Sequence, residues 1–108
     1  TMNDPAFVEA SQALGRRLMC EGGQTVADRA RWGLSLVLAR PAEEAQVQEL
    51  VKLYDPLFAD YQEREKDAKQ LATETLGPLP EGWAPAEAAA WTAVANVLLN
   101  LDAVLSKA

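Results

Sequence analysis

Apolar residues recur along this chain at three- and four-residue spacing and almost never alternate strictly with polar ones, so the pattern predicts helices and no strands. Asp4-Pro5 places an N-cap before a proline at the first helical position, and Phe7, Ala10, Leu14 and Leu18 mark one face of a first helix. Gly22-Gly23 closes it, because glycine adopts the left-handed C-terminal conformation without a side-chain clash. Thr25 with Asp28 three residues on resembles a capping box. It opens a second helix to about Ala39, with Val26, Ala30, Gly33, Leu34, Val37 and Leu38 as its apolar stripe. Pro41 ends that helix or opens the next, because a proline pushes the residue before it out of helical geometry.

A third helix begins near Ala42, where Glu43 and Glu44 suit the positive end of the helix dipole. Val47, Leu50, Val51, Tyr54, Leu57, Phe58 and Tyr61 keep a 3.6-residue period, and Pro56 in their midst predicts a kink that frees the Lys52 carbonyl. The charged run QEREKDAK reads as a solvated turn or helix face. A weaker fourth helix follows through Ala68, Leu71, Ala72, Thr75 and Leu76 and stops at Gly77-Pro78. The stretch GPLPEGWAP, with three prolines and two glycines in nine residues, is a loop that Trp83 can anchor. A fifth helix runs from near Pro85 to about Ser106. The expected fold class is all-α: a compact bundle of about five helices, the third kinked at Pro56, forming a single domain over residues 1–108.

The fifth helix poses a question. On a wheel of 100° per residue, Val94, Val97, Leu98, Leu101, Val104 and Leu105 share one side, and Thr92, Asn96, Asn100 and Lys107 form a polar side. Asp102 falls between Trp91 and Ala95, aimed at a core, where a carboxylate is costly unless paired and hydrogen-bonded. The expectation is a buried ion pair of Asp102 with Arg29 or Arg40, both beside the second helix, or else a carboxylate that accepts backbone N–H groups at a helix start. Two other readings stay open: a frayed helix end with Asp102 in water, and a carboxyl of raised pKa acting as acid or base, which lacks a second carboxylate or histidine at an inferable distance. Asn96 and Asn100, one turn apart, and Trp83 are candidate interaction residues; the tryptophans at positions 32, 83 and 91 otherwise read as core.

Composition narrows the chemistry. Apolar residues make up 49% of the 108 positions and charged residues 24%, the balance of a chain that folds. A net charge of -6 disfavours nucleic acid and anionic lipid surfaces as partners. No run of about 18 apolar residues is present, which argues against membrane insertion. With no histidine, Ser-His-Asp and Cys-His catalysis, histidine-bound zinc and C-x-x-C-H haem attachment are excluded within these residues. No catalytic, cofactor-binding or metal-binding residue is therefore assigned. Cys20, the single cysteine, is expected as a small buried hydrophobe. Thr1 ahead of Met2 reads as a piece of something longer.

Three stretches in order, MNDPAFVEASQAL, RARWGLSLVLARP and WTAVANVLLNLD, resemble the DUF1553 or PSD1 domain, a domain of unknown function at the C-terminal end of large proteins of Planctomycetes and their relatives. On that resemblance Asn3, Asp4, Pro5 and Phe7 match the opening block, Arg29, Arg40 and Pro41 the central arginines and R-P turn, and Trp91 with Leu98 through Asp102 the closing block. The chain departs from the family's pattern after Pro41, where Ala42, Glu43 and Glu44 stand, and after Asp102, where Ala103 and Val104 stand. The resemblance implies the C-terminal helical portion of such a domain, in an exported, envelope or periplasmic parent that often carries a DUF1549 domain and a c-type cytochrome module, whose haem c lies elsewhere. The expected role is a non-catalytic helical interaction or structural module that packs against other domains of its parent or a neighbouring envelope protein. Two alternatives are an accessory domain that binds carbohydrate or completes an active site through Trp83 with Asn96 or Asn100, and a docking module for a cytochrome domain.

Overall fold

The computed structural model describes residues 5–107, and side chains only as far as Leu101. Among the described residues there are five helices and no strand: α1 (Pro5–Glu21), α2 (Val26–Leu38), α3 (Glu44–Glu63), α4 (Glu65–Thr73) and α5 (Pro85–Lys107). Local chemistry accounts for most of the boundaries. Gly23 turns the chain after α1 at a φ of 106°. Thr25 Oγ1 accepts the Asp28 N–H at 3.0 Å and caps α2. The Glu43 N–H donates to Gln46 Oε1 at 3.2 Å, one half of a capping box at the head of α3. Asp4, expected as the cap of α1, lies outside the described residues. The third helix is continuous across Pro56, which is exposed.

α5 is the hub and packs against all four other helices. Trp91, Val94, Ala95 and Leu98 on it are fully buried, and around them close Leu14 and Leu18 of α1, Ala30 and Leu34 of α2, and Val47, Leu50 and Tyr54 of α3. The Tyr54 ring tilts against Trp91 at 4.5 Å and stacks on Phe58 at 5.8 Å. A central helix is buried nearly all round, and this corrects the expected polar side of α5. Thr92 is buried and Asn96 and Asn100 are half-buried, whereas Val97 is 40% exposed.

Small residues let the helices approach. A Cβ on Gly15 would sit 3.0 Å from both Cα and N of Thr92, so α1 and α5 meet backbone to backbone at that point. Gly15→Ala should lower stability by about 1–2 kcal/mol even though alanine favours helix by about 1 kcal/mol. Thermal unfolding checks this, and an unchanged or higher Tm would contradict so close a crossing.

Two expectations fail for physical reasons. Cys20 is exposed, because the buried stripe of α1 runs through Ser11, Gln12, Leu14, Gly15 and Leu18 and turns away from position 20. α4 stops at Thr73 instead of reaching Leu76, and the cause is a pair of side chains from another helix.

Candidate functional site

Polar side chains buried in this bundle belong to three constellations. The first ends α4. Gln12, fully buried on α1, donates from Nε2 to the Leu71 carbonyl at 2.7 Å. Its Oε1 accepts the N–H groups of Thr75 at 3.2 Å and Leu76 at 3.1 Å, and the Thr75 hydroxyl at 2.9 Å. In a continuing helix Thr75 N–H would donate to Leu71 and Leu76 N–H to Ala72. Gln12 stands between the first pair and takes the donor of the second. Arg16, one turn along α1, donates to the carbonyls of Ala72 at 3.2 Å and Gly77. Together Gln12 and Arg16 replace two successive helical bonds and seal the C-terminal end of α4, where a cation also suits the helix dipole.

The second constellation surrounds Arg29. Its side chain is 14% exposed and pairs with Glu87, in the first turn of α5, at 2.9 Å. The same guanidinium donates to the carbonyls of Gly23 at 3.1 Å and Met19 at 3.3 Å and lies 5.9 Å from the Trp91 ring. It thus joins the end of α1 and the α1–α2 turn to the start of α5. Burial first, and then the nearby Glu87 carboxylate, push the Tyr54 phenol up to about 12, with Arg29 opposing. Tyr54 is therefore a neutral phenol at ordinary pH.

The expected tie of Asp102 to Arg29 or Arg40 has its Asp102 end outside the described side chains. At its other end Arg29 takes Glu87, 15 positions before Asp102 and roughly 22 Å from it along the axis of α5. Arg40 is exposed and makes no hydrogen bond or ion pair with the described residues. Glu87 carried a sequence signal, an acidic residue in a first helical turn, but nothing in the periodicity links it to Arg29 across 58 positions.

The third constellation lies at the wall of a groove of about 400 Å³ between α1, α3, α4 and α5. Leu53 and Leu57 of α3 and Leu71 of α4 form its apolar side, to which Tyr61 of α3 adds a ring with a phenol hydroxyl. Across from them stand Val8 and Ser11 of α1 and Thr92, Ala93, Asn96 and Val97 of α5. Asn96 Nδ2 donates to Ser11 Oγ at 3.2 Å, Ser11 Oγ donates to the Phe7 carbonyl at 2.9 Å, and Thr92 Oγ1 donates to the Ala88 carbonyl at 2.8 Å. Asn100 Nδ2 donates to the Asn96 carbonyl at 3.2 Å. No residue lining this groove is charged at neutral pH.

Asn96 and Asn100 are thus brought together, and Asn96 faces the groove. Trp83 does not join them: it is half-buried in the loop before α5, with its N–H on the Pro80 carbonyl at 3.2 Å, and is not among the groove's lining residues. Trp91 is fully buried and Trp32 half-buried, the latter beneath Arg17 at 5.2 Å. Nothing in the chain's pattern marks Ser11, Gln12 or Arg16 as functional, and Thr92 stands out there only as part of the polar side of α5. Among the described residues no three Cys, Asp or Glu side chains gather in a way that could hold a metal ion, and no helix is long and apolar enough to cross a membrane. Compared with known proteins, the chain matches no family model, no curated protein and no solved structure.

Proposed function

We propose that this chain is a non-catalytic helical binding module whose binding site is the groove between α1, α3, α4 and α5. One observation carries the reading. Gln12, Arg16 and Arg29 are committed to joining helices, while the groove has largely apolar walls, four polar side chains (Ser11, Thr92, Asn96 and the Tyr61 phenol) and no group charged at neutral pH. A cavity of that size with a few convergent polar groups is the usual form of a ligand site, and its lining holds no carboxyl, histidine, lysine or cysteine side chain for general acid–base chemistry. The three stretches that resemble the DUF1553 domain are the sole support for placing the module in a larger exported protein.

The test is a titration with N-phenyl-1-naphthylamine, a neutral fluorophore that brightens in apolar surroundings. Saturable uptake at one site is expected. Val97→Arg alters a rim residue that is already 40% exposed, so its Tm should hold while affinity falls at least about tenfold, because the probe would then bury a cation. Uptake that never saturates, or that Val97→Arg leaves unchanged, would contradict the reading.

A further inference from the structure

The occupant of the groove can be narrowed from its lining, an inference that rests on the groove being the binding site. We infer that it takes a small neutral amphiphile, an apolar body ending in one hydroxyl or carboxamide, with that head seated at Ser11, Thr92 and Asn96.

Size comes from the volume. A dry cavity of about 150 Å³ accepts one benzene, so the groove's 400 Å³ accommodates on the order of a dozen to sixteen non-hydrogen atoms by the same scale. Walls on four helices suit a compact molecule better than the long apolar strip that an amphipathic partner helix presents. Charge is excluded by the lining. An ionised carboxylate, phosphate or ammonium would leave water for a site with no opposite charge, a heavy desolvation cost with nothing to offset it.

The head group follows from which hydrogens and lone pairs remain. Both hydroxyl protons are committed, Ser11 to Phe7 and Thr92 to Ala88, so each oxygen can still accept but not donate. Asn96 Nδ2 uses one hydrogen on Ser11 and retains a second. Around Ser11, Thr92 and Asn96 the groove therefore presents mainly acceptors with a single donor, the Tyr61 phenol belonging to the facing α3 wall. A hydroxyl or a primary carboxamide, which donates and accepts at once, satisfies both kinds. An ether would accept from Asn96 but leave the two hydroxyl oxygens unmatched, and an alkane would satisfy neither.

Displacement of N-phenyl-1-naphthylamine from the whole chain by decan-1-ol, decanamide, decanoate and 1-methoxynonane tests this. The alcohol and the amide should displace the probe, with the ether and the carboxylate at least about tenfold weaker, the factor expected for one hydrogen bond lost or one charge buried. Asn96→Leu should erase the alcohol's advantage over the ether while leaving the ether's own affinity in place. If Asn96→Leu does not fold, Ser11→Ala, which removes one acceptor, should narrow the same gap. Decanoate binding as well as the alcohol would overturn the neutral class, and equal affinity for alcohol and ether would overturn the assignment of the head. Should the fluorophore bind while none of the four compounds displaces it, this inference fails and the binding module stands. If the fluorophore does not bind at all, both fall.

Discussion

Gln12→Leu is expected to destabilise the fold by about 2–4 kcal/mol. The substitution keeps the volume of a fully buried side chain but strips one donor from the Leu71 carbonyl and one acceptor from the N–H groups of Thr75 and Leu76. Each buried group left without a partner costs about 1–3 kcal/mol. Thr75 is exposed and Leu76 half-buried, so water recovers part of the loss and the total falls below a simple sum. For a chain near this length the change corresponds to a fall in Tm of roughly 10–20 °C. Hydrogen exchange should also accelerate at Thr75 and Leu76 ahead of the core. A loss under 1 kcal/mol would mean that α4 ends without help from α1.

Arg29→Met should cost a similar amount, about 2–4 kcal/mol. Methionine fills much of the space but leaves the Glu87 carboxylate without its cation and the carbonyls of Met19 and Gly23 without a donor. Glu87 is 35% exposed, so solvent screens part of the penalty and the estimate sits below that for a fully buried pair. The companion change Glu87→Gln keeps a hydrogen-bond acceptor and should cost no more than about 1 kcal/mol. Denaturant titration of both variants separates the contributions: equal losses would make the ion pair the main effect, whereas the bonds to the end of α1 are expected to weigh more. Arg29→Met with unchanged stability would contradict the arrangement outright.

These two residues mark the limit of what the chain's pattern reveals. Proline, glycine and capping residues punctuate the sequence so regularly that the five helices and their order were legible, because helix ends depend on neighbours a few positions away. The close of α4 was not, since it depends on Gln12 and Arg16, more than 50 positions earlier. Likewise α5 looked amphipathic because its wheel separates Thr92, Asn96 and Asn100 from the leucines. A helix surrounded on all sides turns such residues inward, where Thr92 bonds its own backbone and Asn96 bonds α1. Gln12 offered a faint clue, a polar residue among Leu14, Gly15 and Leu18 on the buried face of α1. Arg29 was singled out as a buried cation for sound electrostatic reasons, but its partner among the carboxylates is a question of tertiary structure that periodicity does not address.

The candidate site was less legible than the fold. A groove arises where side chains of four helices fail to fill a space, and no residue pattern within one helix records that. Asn96 was visible as a candidate from its spacing to Asn100, but its companions proved to be Ser11 and Thr92, not Trp83.

The groove, and no other part of the surface, is where this module is proposed to bind. Backbone and side-chain amide chemical shifts recorded by NMR during titration with N-phenyl-1-naphthylamine test that most directly. Saturating shifts are expected to cluster at Ser11, Leu57, Leu71, Thr92 and the Asn96 carboxamide and to vanish in Val97→Arg. Saturating shifts centred elsewhere, around Trp83 or Cys20 for example, or no saturating shifts at all, would contradict it.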